Sequence, residues 1–310
     1  SGLVGSEMCI RDRAYRSSLS EEQLDAMVEK TKALEAYQEA GEDPKALECI
    51  PMLKRSDIKR EAAKIINEEL TVDDSLFLYH DVCTNGIGYV DLMFKTDSIA
   101  PEQIPYLGLL KSVLGYVDTE NYTYGELFNE INANTGGINC GVEVFDRADS
   151  TEEFQAMFSV RGKALYTKMD FLFKMIGEIL NSSKLEDTKR LYEIVASVKS
   201  RAQVNLTGAG HSTAVLRATA YSSPMAAFQD EMAGIGYYQF IEKLEKDFEQ
   251  RKEETVEELC KLMKKILRPE NFMISYTGER ESMETVQKLA GAVKAGLGTE
   301  LSLIHISEPT

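Results

Sequence analysis

Residues 87–94, IGYVDLMF, constrain the fold of this chain more than any other stretch. Val90, Leu92 and Phe94 alternate with Tyr89, Asp91 and Met93, a period of two that gives a strand one buried face. The period returns in Ile138, Cys140, Val142 and Val144, and again in Phe154, Ala156, Phe158 and Val160. LFLYH (76–80) precedes the first run and joins it through TNG (84–86). There Asn85-Gly86 tolerates the positive φ of a tight turn. NFMISYTG (271–278) supplies a last strand, leading into a helix from Ser282. Between these runs the period becomes helical, over 101–115 and 123–134, then 166–181, 186–206, about 212–222 and 236–267. The second of these opens with a Thr123/Glu126 capping box and stops at Gly136-Gly137. Strand pairs separated by helix pairs predict an α+β domain, its sheet largely antiparallel with helices packed on one face.

Ahead of the first strand the pattern is helical. Ser20 and Gln23 form an S-x-x-Q capping box, Leu24, Met27, Val28, Leu34 and Tyr37 make an apolar stripe, and Gly41 ends it. After a loop with Pro44 and Pro51, a second helix is expected from Ser56, with Ile58, Ala62, Ile65 and Ile66 on one face. Together they predict a helical hairpin linker over 14–70. The domain then spans 71–268, and 269–300 is either its final strand and helix or the start of the next domain. The two ends differ from their neighbours: SGLVGSEMCIRDR (1–13) and LSLIHISEPT (301–310) continue no period and resemble translated sequencing-adapter read-through at the ends of metagenomic fragments. They are set aside from the fold, and the native chain is expected to continue in both directions.

Chemistry-bearing residues are sparse. His80 and Cys83 lie three apart, but a zinc site needs three or four converging ligands. The other histidines are His211 and His305. His80 therefore reads as a sheet-edge residue and Cys83 as a small buried filler. HISEP (305–309) begins like the H-x-x-E-H signature of inverted zinc peptidases, yet Pro309 replaces the second histidine and would break the required helix. NLTGAGHSTA (205–214) lacks the GK[ST] ending of a phosphate loop; its glycines end one helix and turn into the next, with His211 or Ser212 capping. The Glu253-Glu254 and Glu257-Glu258 pairs belong to a solvated helix surface. No catalytic set and no metal-ligand set follows from spacing.

Composition limits the function classes. The 310 residues are 43% hydrophobic and 28% charged, ordinary for a globular chain. A formal net charge of −16 repels phosphate, so a nucleic-acid partner is not expected; it would suit a basic peptide, but a well-solvated acidic surface is the favoured reading. No apolar run reaches the roughly 20 residues of a membrane span, so no membrane partner is expected either. The five cysteines (Cys9, Cys49, Cys83, Cys140, Cys260) show no CxxC spacing and read as reduced thiols of a cytosolic-type compartment.

Several strings, in order, resemble the presequence-protease-type branch of the insulinase (pitrilysin) zinc metallopeptidases. LSEEQLDAMVEKTKALEAYQEAGEDPKALECIPMLKRSDI (19–58) resembles the helical linker between that family's two halves. HDVCTNGIGYVDLMF (80–94) and IPYLGLLKSVLGYVDTENYTYGELFNEINANTGGI (104–138) resemble the start of its third domain. VRGKALYTKMDFLF (160–173), GAGHSTAVLRA (208–218) and GIGYYQFIEKLE (234–245) continue in register, so the resemblance covers Ala14 to Glu300. It implies a non-catalytic α+β domain of a cytoplasmic, bacterial-type peptidase that degrades oligopeptides in an enclosed chamber. Zinc and its glutamate base sit in the missing N-terminal domain, so no cofactor is expected in this fragment and no catalytic residue is carried over. The implied partners are the N-terminal half and fourth domain of the same chain, and peptide substrates. An inactive scaffolding member of the same fold is the alternative; an intact zinc motif upstream would separate the two. A nucleotide-binding role for 205–214 is the weakest reading.

Overall fold

A computed structural model of the chain describes residues 12–298 apart from 42, 63 and 65. Both suspected read-through segments fall largely or wholly outside this range, as do His305 and the 305–309 motif. The described chain divides into two compact units, one up to Lys64 and one from Ile65 onward.

In the first unit, residues 12–17 are helical and α1 spans Glu21–Glu39. The Ser20/Gln23 capping box is present, with Gln23 N donating to Ser20 Oγ at 3.3 Å and Ser20 N to Gln23 Oε1 at 2.9 Å. The expected stripe is not buried: Met27, Val28, Leu34 and Tyr37 are all exposed. After the single-turn α2 (Pro44–Leu47), the second helix of the hairpin does not form. Arg55–Asp57 is one 3-10 turn, closed by Asp57 Oδ2 accepting from Lys54 N at 2.8 Å. Ile58, Ala62 and Ile66 lie in irregular backbone, and Ile65 is outside the described residues. That carboxylate contact is of the helix-starting kind, but no buried face among the described residues rewards propagation beyond one turn.

Residues just after that segment form a strand the sequence reading missed. β1 (Glu68–Val72) and β2 (Ser75–Asp81) make a hairpin around Asp73-Asp74, whose φ values of 47° and 64° suit aspartate better than most residues. β3 (Ile87–Lys95) follows the Asn85-Gly86 turn, both residues at positive φ. β2 and β3 are nevertheless not paired. β6 (Phe272–Gly278) inserts between them, parallel to β2 and antiparallel to β3. Glu279 at the end of β6 secures the crossing turn, accepting from Thr84 N at 3.0 Å and Asn85 N at 3.1 Å. Only the intact chain places β6 there, so local turn chemistry could not reveal it.

The six-stranded order is β1-β2-β6-β3-β5-β4, with β4 spanning Ile138–Arg147 and β5 Ser150–Leu165. The sheet is antiparallel except at β2–β6. Helices α3 (Ile104–Val113), α4 (Tyr124–Asn134), α5 (Met169–Ser182) and α6 (Thr188–Gly208) lie toward its inward face. α8 (Pro224–Ala233) and α11 (Met283–Gly296) also pack against the sheet, while α7 (Gly210–Thr219) packs on α8 and buries no residue, and α9 (Ile235–Lys246) and α10 (Phe248–Ile266) pack on α3 and α6. Phe77, Leu92, Phe158, Ile274 and Tyr276 are fully buried between sheet and helices, with Leu107, Leu172 and Leu259 opposite them. The expected helix at 236–267 is two, broken at Asp247. α8 was missed although Ser223 caps it, Pro224 opens it and Gly234 ends it. A Cβ on Gly108 of α3 would sit 2.5 Å from the Met232 carbonyl oxygen, so α8 approaches as closely as a bare glycine allows.

Candidate functional site

Strand alternation assigns every second residue of the sheet to the face opposite the helices. Register carries this across the strands. Asp91 of β3 stands opposite Arg161 of β5 on one side and Ser275 of β6 on the other, and Arg161 stands opposite Asn139 of β4. The same face carries His80, Tyr89, Lys163 and Thr277. A depression of about 390 Å³ runs over Tyr89, Asp91, Asn139, Arg161, Lys163 and Ser275.

Its centre is charged. Arg161 Nε donates to Asp91 Oδ2 at 2.7 Å, and Arg161 Nη1 reaches Glu143 Oε1 at 3.1 Å. Burial pushes the Asp91 carboxyl above its ordinary range, against the downward pull of Arg161. The second Asp91 oxygen, Oδ1, is buried without a hydrogen-bond partner, and so is Ser159 Oγ, one register step along the same face. Lys163 Nζ lies 5.9 Å from the centroid of the Tyr89 ring, adding a cation over an exposed aromatic.

The residues flagged by sequence disperse. His80 is not at the sheet edge, because β1 covers β2. Its Nδ1 lies 2.7 Å from the Ile66 carbonyl oxygen and its Nε2 3.2 Å from Ser275 Oγ, so both ring nitrogens are engaged. Cys83 is exposed rather than buried, since the turn that carries it projects past the end of the sheet. Among the described residues no three His, Cys, Asp or Glu side chains converge to hold a metal ion.

Segment 205–214 joins α6 to α7 through Ala209, and neither His211 nor Ser212 caps the junction; both lie inside α7, whose N-cap is Ala209. Glu253, Glu254 and Glu257 are exposed, whereas Glu258 is half-buried and accepts from Gln103 Nε2 at 3.0 Å. Asp91 and Arg161 were missed as site residues. Their signal was an ionisable residue within each alternating run, which the period assigned to a solvated face.

No described helix is long and apolar enough to cross a membrane. Residues 10–244 match the family model for the associated domain of peptidase family M16, subfamily C. Protein HypA of Clostridium perfringens is 34% identical over 273 residues, covering 88% of this chain and 28% of that protein. Presequence protease 1, chloroplastic/mitochondrial, of Arabidopsis thaliana is 26% identical, covering 88% of this chain and 25% of that protein. The chain thus spans about a quarter of the length of these relatives. A peptidase M16 inactive domain from Pseudomonas fluorescens superposes with TM-score 0.50 at 15% identity, covering 79% of this chain and 54% of that one. A conserved protein from Enterococcus faecalis gives 0.53 at 13%, covering 74% and 52%. At such identities these two likenesses establish the fold.

Proposed function

The chain belongs to the family of domains associated with subfamily C of the M16 peptidases, and from that premise we propose that it is a non-catalytic segment of a larger zinc peptidase that degrades oligopeptides in an enclosed chamber. The metal and its general base belong to the part of the parent outside this chain, where zinc would polarise water for attack on the peptide carbonyl. The helix-free face of the sheet forms part of the chamber wall, and the residues ahead of β1 act as the hinge between halves.

One observation carries the reading. That face holds an accessible charged cluster, the half-exposed Arg161 paired with Asp91 and Glu143 beside the exposed Lys163 and Tyr89, over a depression of about 390 Å³. Such a wall presents guanidinium and ammonium donors to the carbonyls of a peptide backbone. A photo-crosslinking amino acid in the full-length parent tests this. Tyr89 on the helix-free face and Tyr192 on the helical layer are equally exposed, 42% and 43%, and so make a matched pair of positions. Crosslinking of a slowly cleaved peptide from position 89 and not from 192 is expected. Equal yields, or none at either position as a scaffold without peptide contact would give, overturn the reading.

A further inference from the structure

β4 closes one end of the sheet, so one side of its backbone is free of any neighbouring strand among the described residues. Proteins ordinarily blunt such an edge with proline, lysine or a bulge. Residues 138–145 of β4 contain no proline or lysine and keep regular register with β5; the one irregularity falls at Asp146/Arg147, at the far end. Eight residues of unblunted edge offer about 26 Å of unpaired donors and acceptors.

Alongside this edge runs a groove of about 620 Å³, floored by Ile131 and Phe128 of α4 and walled by α3 and α6. Phe128 is 57% exposed, a large aromatic with no cover. Two cations line the same groove, Lys111 from α3 and Arg201 from α6. Neither side chain makes a hydrogen bond or a salt bridge among the described residues. Lys111 is also substantially desolvated, which lowers its pKa. Glu143, the carboxylate that acts on it through space, is itself held by Arg161 at 3.1 Å. Two unpaired cations beside one groove are out of character for a chain of net charge −16.

We propose that the outer edge of β4 and this groove bind an extended peptide segment bearing acidic side chains, which adds to β4 as a seventh strand and directs a carboxylate toward Lys111 and Arg201. Main-chain hydrogen bonds to the edge supply sequence-tolerant affinity, the apolar floor takes alternate side chains, and the two cations select acidic over basic segments. The site adjoins the helix-free depression, with which it shares Gly136, Gly137 and Asn139, but takes its ligand along the outer edge of β4, whether or not the parent cleaves peptides.

The test is a fluorescence-anisotropy titration of the full 310-residue chain with a fluorescein-labelled octapeptide of alternating valine and glutamate. Saturable binding is expected, weakened about tenfold by Lys111→Met and by Arg201→Met, as loss of a charge-assisted contact implies. Lys111→Met removes a desolvated charge, so its thermal melt should match or exceed that of the parent chain. Arg201 is exposed, which makes its substitution an independent check on folding. N-methylating alternate peptide amides should abolish binding in one of the two registers and spare the other. The amides of 138–145 should gain hydrogen-exchange protection when the peptide binds. Absence of saturation, unchanged affinity in both variants, or indifference to N-methylation in both registers overturns the proposal.

Discussion

Two helices of this chain show what local signals can and cannot do. α1, of 19 residues, opens on a complete capping box and yet has no buried residue. α5, of 14 residues, has no side-chain cap and buries seven: Met169, Leu172, Phe173, Met175, Ile176, Ile179 and Leu180. Capping and propensity decide where a helix begins. Burial decides whether it belongs to a core, because most helical stability in proteins comes from a packed apolar face. The first unit rests on the former kind of signal and the second on the latter.

Hydrogen exchange is the measurement most able to break that contrast, and its expected effect is the largest. Amides of α1 should exchange at least about a thousandfold faster than those of β3, β5 and β6, which open only with the second unit as a whole. Deleting residues 1–64 should leave the main thermal transition within about 2 °C. Equal protection would show that α1 belongs to a cooperative core. Point substitution sharpens the same contrast. Leu92→Ala, at a fully buried position in the centre of the sheet, should cost about 3–4 kcal/mol in denaturant unfolding. Leu34→Ala, at a position 54% exposed, should stay within about 0.5 kcal/mol.

The sequence carried the α+β class and the alternating strands, because period-2 burial is a local property. Val90, Leu92 and Phe94 fall on the buried face as their spacing implies. Pairing was a different matter. Asn85-Gly86 announced a turn and the structure has one, but the partner across it comes from residue 272 onward. Asp73-Asp74 announced nothing, since two acidic residues read as solvated surface until a hairpin requires positive φ. Ile58, Ala62, Ile65 and Ile66 were spaced for a helix, but Ile58, Ala62 and Ile66 are exposed in irregular backbone, with no surface to bury against. Of the candidate site, each ionisable residue was visible alone. That Asp91, Arg161 and Glu143 converge is a matter of register among three strands, which spacing within one strand does not encode.

Next in expected size comes an ion pair, buried at its acidic member, that joins three helices of the second unit. Asp230 is 1% exposed; its Oδ2 accepts from Arg217 Nη1 of α7 at 2.5 Å and from Gly236 N at 3.2 Å, while Oδ1 accepts from Ile235 N at 3.1 Å. It ends α8, caps α9 and holds α7. Asp230→Ala leaves the Ile235 and Gly236 N–H groups without their acceptor and should cost about 1–3 kcal/mol in urea denaturation. The exposed Lys32–Glu29 pair of α1, at 3.4 Å, should contribute nothing measurable when Glu29 is replaced by alanine. A comparable loss at both sites would remove the distinction between the units.

The smallest effect compares one motif in both settings. Thr123 and Glu126 repeat in α4 the box that Ser20 and Gln23 make in α1. Glu126 N donates to Thr123 Oγ1 at 3.3 Å, and Glu126 Oε2 accepts from Thr123 N at 2.9 Å and Thr123 Oγ1 at 2.8 Å. Thr123→Ala should cost about 1 kcal/mol of global stability, because α4 is anchored through Leu127 and Ile131. Ser20→Ala should leave the global transition unmoved and reduce only local helix content, read as faster exchange at residues 22–26. The two boxes also differ in charge. Hydrogen bonds from Thr123 hold the Glu126 carboxyl below its ordinary range. A depressed carboxylate contributes stability that is complete above its unfolded-state pKa and is lost as pH falls through the lower folded-state value. Stability should therefore decline on acidification, and Glu126→Gln should remove that component of the slope while leaving the cap geometry in place. Gln23 carries no charge, so the α1 box should show no such dependence. An acid-limb slope identical in the parent chain and in Glu126→Gln would mean that the carboxylate gains nothing from its cap, and the motif would then act through Thr123 alone.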